Sequence, residues 1–320
     1  MGTSKKFDVL VVGDLNVDLI LNKINKTPQI GEEQRADEMD LVMGGSTAIF
    51  ACNIAKLGSS VEFMSKLGDD SFGKFLLKEM ALNNVGTGSI IVDPSLRTGA
   101  TVIFILNNDR MMVTYPGSME HLEIGEITDD ILGSARHIHT SAIFFQPLLK
   151  KGLADLFGRA KEMGLTTSMD TQWDPEEAWD LDLEKVLPNL DFFLPNEDEF
   201  IRLAGKPDLD SALKSLEHYN TCFVIKRGPK GALMVHHNKR TEIASAPITK
   251  IVDTIGAGDS FNAGFIHAYL NGKDPEACLE EGNRTAAVST TAPGGLSGIV
   301  SYRQVAEKAA EMRRLKEITG

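Results

Sequence analysis

Apolar positions come in blocks along most of this chain, and the spacing within each block separates strands from helices. Phe7–Val12 (FDVLVV) is a nearly unbroken β-branched run that stops at Gly13, which predicts a strand buried on both faces. Ser46–Leu57 (STAIFACNIAKL) predicts a helix, with Ser46 as N-cap and Gly58 as its stop. A strand is expected over 61–66. An amphipathic helix follows over 70–83, with Phe72, Leu76, Leu77 and Met80 near one face.

The texture then changes. Residues 99–106 (GATVIFIL), a turn at Asn107-Asn108-Asp109 and residues 111–115 predict a hairpin. Residues 15–43 lack a good helix and could supply further strands. A small β-rich element inserted into an α/β body accounts for both. Alternation resumes with strands at 137–140, 166–170, 192–194 and 222–226, the last with 231–236 pairing behind it. Helices are expected at 148–163 (closed by Gly164), 196–203, 209–218, 256–270, 275–291 and 302–315. Repeated strand–helix units imply a mainly parallel sheet with helices on both faces, an α/β class in three layers. With no long linker or internal repeat, residues 1–320 are read as one domain, with lid segments within about 15–43 and 88–117.

Composition narrows the function classes. The 320 residues are 42% hydrophobic and 24% charged, as in an ordinary globular protein. No apolar run approaches the roughly 20 residues of a membrane span. The first six residues are polar and lead straight into a strand, so no signal peptide is expected and the reading is cytoplasmic. A net charge of −12 makes nucleic acid a poor partner, because the bulk field repels a phosphate backbone. Three scattered cysteines, Cys52, Cys222 and Cys278, read as free thiols. His137, His139, His236 and His237 have no metal-ligand spacing and no catalytic signature.

The most informative stretch is 253–265, DTIGAGDSFNAGF. Gly256, Ala257 and Gly258 open a strongly helical segment. The first amides of a helix lack intrahelical acceptors and carry the positive end of its dipole, so small residues there make an anion site. Asp259 stands in the first turn beside it, where a carboxylate can take the proton of an attacking hydroxyl.

This string resembles, over ten positions, the C-terminal signature of the ribokinase-like (PfkB) carbohydrate kinases, and the resemblance extends along nearly the whole chain. It implies an ATP- and Mg²⁺-dependent kinase with Asp259 as base and Gly256, Ala257 and Gly258 as anion hole. In GDLNVD, Asn16 and Asp18 take the places that bind substrate hydroxyls, in the loop after the first strand. Asp18 has no evident structural partner in the sequence. Gly44-Gly45 resembles the family's di-glycine, whose backbone lies close to the substrate. Asn196 and Glu199 match an N-x-x-E element that organises Mg²⁺ and its waters. Lys226 and Gly228 resemble the strand end and turn that line the ATP site, with Lys226 reaching a phosphate oxygen, and Asn283 falls beside the adenine. Asp253 and the 292–295 loop match the place where some relatives hold a monovalent cation such as K⁺. The hairpin resembles a sugar-kinase lid, and lids of this family pair between subunits, which implies a homodimer.

The sequence also departs from the family. Where an asparagine usually follows the di-glycine there is Ile49, and the later Asn53 reads as structural. Ribokinases proper have a lysine where this chain has Ser46. Asp174 stands where kinases of keto-deoxy sugar acids carry an arginine. These differences favour a small neutral sugar or sugar-like alcohol over ribose or a sugar acid. A nucleoside is the alternative, with Ile49, Phe104 and Phe145 able to accommodate a base. A non-catalytic sugar- or nucleotide-binding regulator is the reading from another class, and it would be expected to lose Asp259 or the anion loop.

Overall fold

The computed structural model describes residues 5–24, 26–106, 109–237, 239–248 and 250–319. Its strands are β1 (Phe7–Val12), β2 (Asn16–Asn22), β3 (Glu38–Gly44), β4 (Val61–Met64), β5 (Lys66–Gly68), β6 (Val85–Gly86), β7 (Ile91–Asp93), β8 (Gly99–Leu106) and β9 (Asp109–Tyr115). After them come β10 (Ala135–Thr140), β11 (Thr166–Met169), β12 (Phe192–Phe193), β13 (Cys222–Lys226), β14 (Ala232–His236) and β15 (Lys239–Ile243). The helices are α1 (Ser46–Leu57), α2 (Ser71–Leu82), α3 (Asp129–Gly133), α4 (Pro147–Lys151), α5 (Leu153–Glu162) and α6 (Leu183–Val186). In the second half lie α7 (Glu197–Leu203), α8 (Leu209–Leu216), α9 (Ala257–Leu270), α10 (Pro275–Ser289), α11 (Gly294–Ser297) and α12 (Tyr302–Thr319).

Nine strands form the main sheet, in the order β15-β14-β13-β12-β11-β10-β1-β4-β6. All neighbours pair in parallel except β13–β14 and β14–β15. The apolar runs explain the layers. Successive side chains of a strand point to opposite faces, so Val9 and Val11 enter one core while Leu10 and Val12 enter the other. Cys222 and Val224 divide from Phe223 and Ile225 in the same way. The first core is closed by α1, α2, α9, α10 and α12, and the second by α5, α7 and α8. The expected three-layer α/β body is therefore present.

A second sheet, β3-β2-β8-β9, stands apart from the first. It contains the expected hairpin, with β8 antiparallel to β9. Asn107 and Asn108, at the expected turn, lie outside the described residues. The helix-poor segment supplies β2 and β3, which also pair antiparallel, and β2 runs parallel to β8. Alternation gives this sheet two faces. Thr101 and Ile103 are buried on one, while Val102 and Phe104 are half-exposed on the other.

Some local expectations needed correction. The N-cap of α1 is Gly45, at φ 97°, and not Ser46. The acceptor for that helix end comes instead from Asp14, which takes the amides of both Ser46 and Thr47 at 2.9 Å. The helix expected over 148–163 is two helices that break at Gly152. A Cβ at Gly152 would sit 2.0 Å from Cγ1 of Ile124, so the bare backbone admits that side chain. On α2, Leu76 and Met80 are buried, but Phe72 is 37% exposed and lies off the core face. The short strands β6 and β7 and the edge strand β15 gave no clear signal, because lone residues and polar edge positions carry little periodicity. His137 and His139 are fully buried on β10, where both hydrogen-bond Ser168 and His139 stacks on Phe50 at 3.8 Å.

Candidate active site

The carboxyl ends of parallel strands converge on one crevice, the usual ligand position of such sheets. Asp14 follows β1, Asp170 follows β11, Asn196 follows β12 and Lys226 ends β13. The cavity there measures about 510 Å³. Main-sheet loops and the start of α9 form one wall, and the inner face of the small sheet forms the other.

Asp259 lies at the bottom, 5% exposed, in the first turn of α9. Gly256 caps this helix with φ 69°, a left-handed conformation that suits glycine. A Cβ there would lie 2.6 Å from Cα of Gly295. The amides of Gly258 and Asp259 have no acceptor among the described residues. They open toward the cavity, which Gly256, Ala257, Gly258 and Asp259 all line. Oδ1 of Asp259 accepts from the Ser46 hydroxyl and, at 2.9 Å, from Nε2 of Gln172. No donor among the described residues reaches Oδ2. Burial pushes this carboxyl up to about 8 against the Ser46 hydrogen bond, and Asp170 and Asp14 add to the rise while Lys226 opposes it.

Asn16 and Asp18 lie on the opposite wall. They begin β2 and are not in a loop, and Asp18 does have a partner: Asn16 donates to its Oδ1 at 2.9 Å. Asn16 is itself held by Thr101 Oγ1 at 3.1 Å. Burial raises the Asp18 carboxyl to about 6. Gly44 lies beneath it, where a Cβ would come within 2.2 Å of Asp18 Oδ1. The glycine thus makes room for the carboxylate, and only Gly45 of the pair reaches the cavity wall.

Asn196 caps α7 and Glu199 returns the bond. Asn196 Oδ1 accepts the Glu199 amide at 2.9 Å, and Glu199 Oε2 accepts the Asn196 amide at 3.0 Å. Both line the cavity. Burial, with Asp170 close by, pushes the Glu199 carboxyl up to about 7. The resemblance implies that Lys226 reaches a phosphate oxygen. Its ammonium is paired with the fully buried Asp170, which also accepts from Asn262 at 2.6 Å. It lies beside the start of α9, since a Cβ on Gly258 would be 3.4 Å from Lys226 Nζ. Asp253 ties two loops, accepting the amides of Ile255 and Gly294 at 2.9 Å each.

A second cavity of about 850 Å³ adjoins the first and shares Gly228, Thr254 and Ala257 with it. Its walls are mostly apolar and include Ile248, Ala286, Ala287 and Met312, with Asn283 as one of few polar groups. Asn53 is structural as expected, donating to Ser260 Oγ at 3.0 Å and to the Gly295 carbonyl at 2.9 Å. Phe145 lines the substrate side, but Phe104 does not, because it points from the outer face of β8. Asp174 is turned into its own loop, taking the amides of Glu176 and Trp179 at 3.0 and 2.7 Å.

Sequence reasoning missed Asp14, Asp170, Ser46 and Gln172 as parts of this site. Ser46 stands out in the sequence only as a helix start and as a departure from the family pattern, and no spacing brings Ser46 or Gln172 to Asp259.

A model of the pfkB family carbohydrate kinases matches residues 6–300. An uncharacterized sugar kinase of Archaeoglobus fulgidus is 30% identical over 250 residues, spanning 77% of this chain and 97% of its own. Arabidopsis thaliana ribokinase, solved with ribose and ATP, superposes with a TM-score of 0.84 at 23% identity, covering 95% of this chain and 98% of its own. A putative ribokinase II of E. coli, solved with ATP and Mg²⁺, gives 0.81 at 23%, covering 95% and 99%. The chain belongs to the pfkB family of carbohydrate kinases.

Proposed function

We propose that this kinase transfers a phosphoryl group from ATP to a hydroxyl of a small neutral sugar or sugar-like alcohol, with Asp259 as base. The observation that carries the proposal is a buried carboxylate with one oxygen committed and one open, beside two helix amides that have no acceptor among the described residues. Oδ2 of Asp259 takes the proton of the attacking hydroxyl. The amides of Gly258 and Asp259, at the positive end of the α9 dipole, stabilise charge on the group in transfer. Asp18 and Asn16 hold other hydroxyls of the acceptor from the opposite wall. The apolar 850 Å³ cavity suits an adenine, with Asn283 as a polar contact, and Gly228 and Lys226, which line the adjoining cavity, suit the phosphates. ATP supplies the phosphoryl group, and Mg²⁺ neutralises charge on its oxygens. Glu199 suits such an ion, because Mg²⁺ keeps most of its waters and needs few carboxylates.

Glu199→Gln should raise the Mg²⁺ concentration needed for half-maximal rate and leave the acceptor KM alone. A glutamine can still accept the Asn196 amide, so the helix cap survives. The wild type should approach the variant as pH falls below about 7, where Glu199 takes up its proton. An Mg²⁺ dependence equal to wild type would place Glu199 outside the metal's shell.

The outer face of the small sheet exposes Met39, Leu41, Met111, Val113 and Tyr115, with relative exposures from 38% to 66%. An apolar face of this kind favours a homodimer formed through the lid. Sedimentation velocity reads this directly, and a monomer at micromolar concentration would remove it. Among the described residues no helix is long and apolar enough to cross a membrane.

ATP consumption against a panel of pentoses, hexoses, sugar acids and nucleosides tests the function. Ile49, Ile103, Met112 and Phe145 make part of the acceptor wall apolar, which keeps nucleosides in the panel. Running the panel in K⁺ and in Na⁺ tests a monovalent cation near Asp253. Turnover with a neutral sugar is expected. Preference for a sugar acid would overturn the neutral-substrate reading, and ADP formation with no acceptor in the panel would leave phosphoryl transfer to sugars without support.

A further inference from the structure

Asp259 is held by two side chains from opposite directions. Ser46 comes from the first turn of α1, and Gln172 from the loop after β11. Both donate to the same oxygen, Oδ1, which fixes the rotation of the carboxylate and directs Oδ2 to the cavity. We propose that Ser46 and Gln172 are positioning residues for the base: they orient the Asp259 carboxylate and stabilise it as an anion. The inference rests on the assignment of Asp259 as base.

Neither donor is placed casually. Ser46 is anchored through its amide to Asp14 Oδ2 at 2.9 Å, and Asp14 is buried and also holds Thr47. Asp14 thus aligns the start of α1 so that the Ser46 hydroxyl faces the start of α9. Gln172 has φ 61°, a left-handed backbone that costs a non-glycine residue free energy and persists only where surroundings fix it. Its loop is fixed by the buried Asp174 carboxylate, which accepts the Glu176 and Trp179 amides. The strained backbone aims an amide donor at the one oxygen that Ser46 also serves.

The electrostatics give the donors a task. Asp259 is buried with Asp14 and Asp170 close enough to disfavour its charge, and Lys226 opposes them. Lys226 is already paired with Asp170. Glu199 lines the same cavity from α7. A carboxylate in that company keeps its proton too long to serve as base at neutral pH unless neutral donors lower the cost of its charge. Two hydrogen bonds to Oδ1 do so without adding a positive charge that would compete with the phosphates. Removing either raises the proton affinity of Asp259 and shrinks the ionised fraction at pH 7.

The test is kinetic, on Ser46→Ala, Gln172→Ala, Ser46→Thr and Gln172→Glu, with the best acceptor from the panel above. Each alanine variant should lower kcat at pH 7 about tenfold, the size of one hydrogen bond to a charged group, with both KM values within about twofold. The acid limb of the kcat–pH profile should move to higher pH, so the deficit narrows by pH 9.5. Ser46→Thr keeps the hydroxyl and should restore most of the rate. Gln172→Glu keeps the shape but replaces a donor by a carboxylate, and should be worse than alanine. A loss that is equal at every pH with the limb unmoved would mean a merely structural role and overturn the proposal. So would Gln172→Glu at wild-type rate. Asp259→Asn is run in parallel. If it is inactive while the Ser46 and Gln172 variants keep the wild-type profile, only the positioning proposal fails. If it retains turnover, the base assignment itself fails.

Discussion

Asp259→Asn should lower kcat by about 10²–10⁴, the usual contribution of a general base. The amide keeps the size of the carboxylate and can still accept from Ser46 and Gln172 through its oxygen, so the pocket should hold its shape. It cannot take a proton at the cavity-facing position. ATP binding, which depends on the neighbouring cavity and the α9 amides, should change little.

The same variant makes a prediction of opposite sign for stability. The folded pKa of Asp259 is raised to about 8, against 3.8 for the unfolded chain. Between those values the folded state binds the proton and the unfolded state does not. Stability contributed by this group therefore falls as pH rises from about 4 to 8. Asparagine has no such titration, so the melting temperature at pH 8 should equal or exceed that of wild type. Lost activity with gained stability is what a catalytic carboxylate buried for its task should give. Near-wild-type kcat, or a melting temperature that drops sharply with the activity, would show that Asp259 supports the fold and that the base lies elsewhere.

Asp18→Ala should cut kcat/KM by at least about a hundredfold. Two hydrogen bonds from acceptor hydroxyls to a charged group are worth roughly 1.5–3 kcal/mol each, and 1.4 kcal/mol is tenfold. The position is a strand residue, largely buried, whose carboxylate fills space left by Gly44. Asn16 loses one acceptor in the variant but keeps Thr101 Oγ1 and the Val17 carbonyl, each at 3.1 Å. Its orientation, and with it the sheet, should survive. Burial raises the Asp18 carboxyl to about 6, so ionised Asp18 does not stabilise the fold at neutral pH and its removal should leave the melting temperature nearly unchanged. The same value gives wild-type kcat/KM a dependence on the charged form that fades below about pH 6, and Asp18→Ala should lose it. Measuring melting temperature and kcat/KM side by side decides the matter. A large fall in melting temperature with kcat/KM preserved in the folded fraction would make Asp18 structural.

The layered body, and the placing of Asp259 among small residues at a helix start, are legible in local residues. Runs such as FDVLVV and CFVIK can be satisfied only by burial on both faces, and that requirement fixes a parallel sheet between helix layers. GAGD at a helix start places small residues, free amides and a carboxylate within one turn, so the anion loop and Asp259 are local features that local residues encode. Tertiary structure decided everything that joins distant segments. Ser46 lies 213 residues from Asp259 and Gln172 lies 87 away, and no periodicity connects them. Asp14 caps a helix that begins 32 residues later, so the acceptor for that helix end is not adjacent to it in sequence. Lys226 is a cation in sequence but half of a buried pair in space, because Asp170 follows a strand two places along the sheet. Gly44 read as a place for substrate backbone contact until β2 set the Asp18 carboxylate above it. Local sequence encodes backbone conformation and burial, while long-range hydrogen bonds and charge pairs form only after strand order has brought their elements together.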